Sequence, residues 1–137
     1  MKISTKGRYA LRMICDLAQH TGEGAVPLRD ITARQEISQK YAEAIALILV
    51  KGGLICSERG KEGGYRLKKD ADDITVYDIM KLTEGTVSPM ACVSSPDNIC
   101  KRADKCLTLP MWRRLDEIID SYLSSVTVAD LTEGKIR

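Results

Sequence analysis

The sequence predicts a mainly α-helical fold with one small β-hairpin, and three observations carry that prediction. Two short helical stretches, 28–36 and 39–51, meet at a tight turn. A basic, glycine-rich hairpin over 54–67 follows directly, and a long helix with a wide apolar stripe, 108–126, lies beyond a loop that holds three of the five cysteines. The 137 residues suit one globular unit, and 44% hydrophobic with 29% charged residues is the balance of a folded soluble protein. No apolar run reaches membrane-spanning length, and the first residues lead into an amphipathic helix instead of an apolar signal core, so a cytoplasmic location is expected. In that reducing compartment an odd number of cysteines points to thiol or metal chemistry over a disulfide framework. The net charge of +2 is unevenly spread: residues 1–70 carry 13 Lys+Arg against 8 Asp+Glu, and residues 71–137 carry 8 against 11. The basic half is the one to test for nucleic acid, and with 4% aromatic residues and no Phe a base-stacking platform for single strands is not expected.

Ser4 or Thr5 caps a first helix that runs to His20, where Thr21-Gly22 stops it. Tyr9, Met13 and Leu17, with Ala10, Ile14 and Ala18, recur at three and four residues and form one core-facing stripe. Cys15 on this helix reads as a small, partly buried hydrophobe, and His20, the single histidine, as a side chain that meets the last carbonyls. Pro27 suits the first turn of the second helix, which faces Leu28 and Ile31 inward. Ser38 is the N-cap of the third helix, Gln39 to Lys51, with Tyr41, Ile45, Ile48 and Leu49 as its apolar face and Gly52-Gly53 as its stop. Such a pair is either a plain helical hairpin or a helix-turn-helix. In the second case the N-terminal turn of the later helix enters a DNA major groove and brings Ser38, Gln39, Lys40, Tyr41 and Glu43 to bases and phosphates.

The next stretch favours the helix-turn-helix. Leu54 to Ser57 reads as a strand, Arg59-Gly60-Lys61-Glu62-Gly63-Gly64 as a glycine-rich turn and Tyr65 to Leu67 as the returning strand, which together make a winged helix. Gly60, Gly63 and Gly64 would let the tip backbone approach a phosphate, with Arg59 and Lys61 following it towards the minor groove. Cys56, mid-strand, is expected in the core. Thr75 and Asp78 resemble a capping box for a helix over 76–83 that Gly85 ends.

Thr108 or Leu109 begins the long helix, with Pro110 in its first turn. Met111, Leu115, Ile118, Ile119, Tyr122, Leu123 and Val126 give a stripe wider than a small winged helix needs for its own core. The stripe either packs on a second copy or folds back on its own domain. Dimerisation is the expectation, because paired half-sites give helix-turn-helix proteins their specificity. Thr127 to Asp130 cap one last short turn. The chain divides into a winged helix-turn-helix DNA-binding domain (1–84), a cysteine-bearing loop (85–107) and a dimerisation helix with its tail (108–137).

Cys92, Cys100 and Cys106 lie on that loop, where no helical or strand period shows. Three soft thiolates there can converge on a metal or an iron-sulfur cluster, and Lys101, Arg102, Lys105, Arg113 and Arg114 are placed to lower their pKa and offset their charge. The spacing is not that of paired CxxC motifs, which weighs against zinc-ribbon and thioredoxin-like readings. A zinc hydrolase is poorly served by one histidine far from the cysteines, and an electron carrier has no use for a basic winged helix, so no enzyme activity is expected.

Lys6-Gly7-Arg8-Tyr9-Ala10-Leu11, Ile37-Ser38 with Tyr41, Glu43 and Ile45, and Gly53-Leu54 are similar to the IscR-type family of winged-helix regulators. So are Arg59-Gly60 with Gly63-Gly64-Tyr65, Ile74-Thr75-Val76, and Cys106-Leu107-Thr108 with Trp112, and the resemblance spans about residues 2–131. It implies a homodimeric bacterial transcription factor, commonly a repressor, that binds a double-stranded operator, with the long helix of each copy crossing its partner's. It also implies that Cys92, Cys100 and Cys106 hold an iron-sulfur cluster, expected to be of the 2Fe-2S type and supplied by iron-sulfur assembly proteins, whose state modulates DNA binding. Two departures stand out. The family places a histidine three residues after the third cysteine, where this chain has Leu109, and the first cysteine gap is longer than usual. A fourth ligand would then come from Glu84, Asp97 or Asp104, a partner subunit, a small thiol or water. The N-terminal aspartate of the nitric-oxide-sensing branch has no counterpart, since the region offers Arg8 and no acid, and Ala42, Ala44 and Ala46 stand where larger side chains are common. The alternative within the same family is a cluster-free thiol or cysteine-metabolism repressor.

Overall fold

The computed structural model describes residues 2–97 and 100–136. Helix α1 (Thr5–Gln19) starts where Ser4 takes an extended backbone and its hydroxyl accepts from the Gly7 amide at 3.1 Å. His20 ends it, its ring Nδ1–H donating to the Asp16 carbonyl at 2.7 Å. Ala10, Met13, Ile14 and Leu17 are buried along one stripe, which forms the centre of the core. Helix α2 (Leu28–Gln35) takes Pro27 as its N-cap, one step before the first turn, and buries Leu28 and Ile31. Glu36 then adopts a left-handed backbone (φ 54°), which turns the chain sharply into α3 (Gln39–Lys51). A residue with a Cβ pays about 1 kcal/mol or more for that conformation, so the turn is held by its surroundings.

The side chains of α3 divide more sharply than the sequence suggests. Ala42, Ile45, Ala46 and Leu49 are buried, while Tyr41 and Ile48 are only half-buried. Ala42 and Ala46 are thus core residues where α3 packs on α1 and α2, and only Ala44 of the three alanines is exposed. The helix ends in a Schellman-type motif: Gly53 N–H donates to Val50 O (3.0 Å) and Leu54 N–H to Leu49 O (3.1 Å), with Gly53 at φ 77°.

Strands β1 (Ile55–Glu58) and β2 (Gly64–Leu67) pair antiparallel, from Ile55 opposite Leu67 to Glu58 opposite Gly64. Ile55 is fully buried, and alternation along the strand turns Cys56 outward to a partly exposed position. Cys56 therefore lies outside the core, contrary to expectation. Val26, just before α2, exchanges two 2.8 Å backbone hydrogen bonds with Tyr65, so the hairpin is joined to the start of the helix-turn-helix.

Helix α4 (Val76–Glu84) has the expected capping box, Asp78 N–H to Thr75 Oγ1 (3.1 Å) and Thr75 N–H to Asp78 Oδ2 (2.9 Å), and stops at Gly85. Helix α5 (Leu109–Ser125) carries Pro110 in its first turn and α6 (Val128–Thr132) has a second capping box, Thr127 with Asp130. The segment between them returns to the core. Val76 N–H bonds Val126 O (2.9 Å), Val128 N–H bonds Ile74 O (2.8 Å), and Val126 and Val128 are buried. Ile119 and Leu123 of α5 also pack on the core, leaving Met111 (53% exposed), Ile118 (49%) and Tyr122 (55%) on the outer side of the stripe. Among the described residues no helix is long and apolar enough to cross a membrane.

Candidate nucleic-acid interface and cysteine loop

Ser38, Gln39, Lys40 and Glu43 are exposed on the first turns of α3. Ser38 is also the cap, its hydroxyl accepting from the Tyr41 amide at 3.2 Å. Gln39 links two elements: Thr32 Oγ1 on α2 donates to its Oε1 (3.4 Å), and its Nε2 donates to Glu43 Oε1 (3.5 Å). Tyr41 stands apart from this exposed set. Its half-buried ring meets Tyr9 edge-on at 5.7 Å, and the Arg12 guanidinium lies over Tyr9 at 5.1 Å, so Tyr41 fastens α3 to α1.

A second fastening lies at the end of α2. Asp16 on α1 is buried and accepts from Arg34 Nε (2.9 Å), a second Arg34 guanidinium nitrogen (2.7 Å) and Gln35 Nε2 (3.0 Å). Arg12 donates to the Gln35 side-chain and backbone carbonyls. Burial pushes the Asp16 carboxyl up, but the hydrogen bonds from Arg34 and Gln35, with the nearby charges of Arg34 and His20, outweigh it and hold the group below the usual carboxylate range. The helix-turn-helix is thereby set on α1 by a bidentate ion pair immediately before its turn.

Between the start of α2, the first turn of α3 and the hairpin lies a groove of about 470 Å³, lined by Arg29, Gln39, Arg59, Gly63, Gly64 and Tyr65 among others. The structure brings Gln39, Arg59, Gly63 and Gly64 to this one groove, whereas Ser38, Lys40, Glu43, Gly60 and Lys61 do not line it. Arg29, with 80% of its side chain exposed, is a cation the sequence reading missed; its place in the first turn of the first helix of the pair was the available signal. The hairpin glycines have separate reasons to be glycine. Gly60 has φ 112°, and a Cβ on Gly63 would stand 2.5 Å from the Glu58 carbonyl oxygen. A Cβ on Gly64 would overlap the backbone of Val26 and Pro27, where the hairpin is joined to α2. At Gly64 the close approach is therefore to the protein's own chain.

The cysteine loop is built from short turns. Cys92 lies on a 3-10 turn (Ala91–Val93) that packs on α5, Cys100 is exposed, and Cys106 follows a second such turn (Ala103–Lys105). Asn98 and Ile99, within the 92–106 stretch, lie outside the described residues. Among the described residues no disulfide joins the cysteines, and no three His, Cys, Asp or Glu side chains converge as a metal site. Cys106 Sγ is 3.3 Å from Thr108 Oγ1. That hydroxyl, followed by the Thr108 and Leu109 amides and then the charge of Arg102, pulls the Cys106 thiol below its ordinary pKa. The basic neighbourhood expected from the sequence thus acts there through Arg102, behind the start of α5. Cys15, by contrast, is pushed up by burial.

Of the fourth-ligand candidates, Glu84 is already engaged: its Oε1 accepts from the Ser4 amide (3.0 Å) and hydroxyl (2.6 Å). Leu109 is buried at the start of α5, and Asp97 and Asp104 are exposed. Two acids the sequence reading passed over face the loop. Asp116 and Asp120 share a cavity of about 410 Å³ with Cys92, and Oδ1 of each is buried with no hydrogen-bond partner among the described residues. Burial and the charge of Asp116 push the Asp120 carboxyl up, against an opposing pull from Lys81. Of the three loop thiols only Cys92 lines that cavity; by donor chemistry alone, three soft thiols on one loop suit an iron-sulfur cluster.

An exposed helix-turn-helix and a hairpin that share one groove, on a chain with a basic N-terminal half, define a winged-helix transcriptional regulator. The Rrf2 family profile, described as an iron-dependent transcriptional regulator, matches residues 3–134, and the chain belongs to that family. It is 40% identical over 135 residues to the HTH-type transcriptional regulator IscR of Serratia proteamaculans (strain 568), covering 98% of this chain and 81% of that protein. Among solved structures it is similar to CymR, the global cysteine regulator of B. subtilis, with TM-score 0.81, 34% identity and 97% of both chains covered. It is also similar to T. potens IscR, with TM-score 0.78, 34% identity, and 99% of this chain and 89% of that one covered. The chain is accordingly a DNA-binding regulator of transcription and not an enzyme.

Proposed function

We propose that the chain is a cytoplasmic homodimeric repressor that binds duplex DNA through α3 and the hairpin, and whose binding is modulated by a cluster, of the 2Fe-2S type, held by Cys92, Cys100 and Cys106. The observation that carries the reading is the position of the thiols: all three lie between α4 and α5, outside the core, and the turn that bears Cys92 packs on the helix with the exposed apolar stripe. When bound, such a group supplies soft metal-thiolate bonds and a redox-sensitive centre. The remaining work belongs to the protein. Ligation by the three cysteines would order the loop against α5; Glu84, the last residue before the loop begins at Gly85, is bonded to Ser4 at the start of α1; and α1 holds the helix-turn-helix through Asp16 and Tyr9. A coupling of about 1–3 kcal/mol along this route suffices for a useful switch. The exposed Met111, Ile118 and Tyr122, with Leu107 at 96% exposure, are the surface for the second copy. Iron-sulfur assembly proteins would be the source of the cluster.

Anaerobic reconstitution with iron and sulfide is expected to give visible charge-transfer absorption that vanishes when Cys92, Cys100 and Cys106 are all changed to alanine. Retention of that absorption in the triple variant would exclude the site. For the DNA half, Arg59→Ala or Lys40→Ala is expected to weaken duplex binding and lower the slope of log K against log salt by about one unit for each phosphate the native side chain neutralises. Unchanged affinity and slope in both variants would exclude the interface as drawn.

A second reading is supported by the likeness to the cysteine regulator CymR. In it the loop thiols sense small thiols or cysteine supply with no cluster. Iron and sulfide analysis of protein purified without oxygen separates the two readings.

A further inference from the structure

The groove between the start of α2, the first turn of α3 and the hairpin carries two cations and little negative charge. Arg29 lines it from α2 and Arg59 from the hairpin, while Gln39 adds an exposed amide from α3. Glu58 is the one acid that lines it among the described residues, and Arg66 takes that carboxylate at 2.8 Å. Arg59 forms no ion pair among the described residues, and Arg29 has only Asp30, whose Oδ1 stands 3.9 Å from its Nε. Both members of that pair are exposed, so it holds the guanidinium weakly. Local stability does not account for Arg29 either. In the first turn of a helix a cation faces the positive end of the dipole, and the acid that the dipole favours there is Asp30. Pro27 and Tyr65, both half-buried, give the same groove an apolar part. Two guanidinium forks beside apolar side chains suit a sugar-phosphate strand: the forks pair with phosphate oxygens and the apolar part meets deoxyribose.

We propose that Arg29 is a DNA-backbone contact, which together with Arg59 grips one strand by its phosphates in this groove. The inference rests on the duplex-binding reading above and adds α2 to a contact surface assigned there to α3 and the hairpin. Such a contact supplies affinity and sets how the first turn of α3 is seated, and it reads no base. The two arginines are held at a set spacing by the backbone beneath them. Val26, just before α2, exchanges two 2.8 Å hydrogen bonds with Tyr65, and Gly64 lies against Val26 and Pro27 with no room for a Cβ.

The test uses the full chain as wild type, Arg29→Ala, Arg29→Gln, Arg29→Lys and Arg59→Ala, with a thermal melt as the folding control. The probes are a duplex that the wild-type chain selects from a random-sequence library and a scrambled duplex of the same length and composition. Binding is titrated over a range of salt, and the phosphates each protein needs are mapped on the selected duplex by ethylation interference. Arg29→Ala is expected to bind both duplexes about three- to tenfold more weakly at low salt and to lower the salt slope by about one unit for each Arg29 that meets a phosphate. It should lose interference at the corresponding phosphates and keep the rest. Arg29→Lys should keep the slope and lose part of the affinity, because an ammonium cannot make the paired contact. Wild-type affinity, slope and interference in Arg29→Ala overturn the inference. A loss confined to the selected duplex overturns it equally, since it would make Arg29 a reader of bases. If Arg29→Ala melts early, Arg29→Gln decides by the same measures. A wild-type chain that binds neither duplex removes the functional reading and the inference together. Binding that needs Arg59 but ignores Arg29 removes the inference alone.

Discussion

Gly64→Ala is expected to destabilise the fold by about 2–4 kcal/mol, a large effect for one added methyl group. The added Cβ would overlap the Val26 carbonyl and the Pro27 nitrogen, and backbone on both sides of that contact is fixed by the paired hydrogen bonds between Val26 and Tyr65. A clash with a flexible side chain relaxes by a rotamer change; this one forces the hairpin away from α2 and opens the groove that joins Arg59 to Gln39. Denaturant unfolding measures the loss, and duplex binding measured well below the midpoint should fall with it. A change within about 0.5 kcal/mol, the range of an ordinary surface substitution, would show that the hairpin is not held as described.

Asp16→Asn is the second large expected effect, about 2–3 kcal/mol. The change keeps shape but removes the charge that faces Arg34, leaving a guanidinium against a buried neutral amide. The upper range for breaking a buried pair is not reached, because the Arg34 side chain is 38% exposed and water recovers part of the loss. The Asp16 carboxyl titrates below the ordinary carboxylate value in the folded chain. Its contribution is therefore fully present above the unfolded value near pH 4 and is lost as pH falls through the lower folded value. Wild type should lose stability over that acid window, and the Asn variant should show a flatter profile there. Identical acid profiles would remove Asp16 from the account. Because Arg34 and Gln35 precede the turn into α3, the same variant should bind duplex DNA more weakly even under conditions where it remains folded.

What could be read from the sequence was mostly local. Ser38, Thr75 with Asp78, and Thr127 with Asp130 announce helix starts through hydrogen bonds that close within three residues, and each occurs in the structure. The helix-turn-helix, the hairpin and the family likeness were legible for the same reason. The misreadings fall where the deciding contact is distant in sequence. Gly64 reads as a glycine for DNA until Val26 is seen against it. Glu84 reads as a spare carboxylate, and only the fold shows its bond to Ser4. Asp116 and Asp120 went unnoticed, and only the fold shows the loop that covers one oxygen of each from the other side. Cys56 is different: alternation from Ile55 would have placed it outside, so its signal was present in the sequence.

The return of residues 126–128 to Ile74 and Val76 also has a consequence for how the chain acquires its structure. Val126 and Val128 close the core beside helices formed some fifty positions earlier, so residues 1–84 leave that face uncovered until the late segment arrives. During synthesis the face around Ile74 and Val76 is therefore expected to stay unsealed while the cysteine loop and α5 emerge. The element proposed to recognise DNA and the loop proposed to carry the signal are thus expected to become native in one cooperative event.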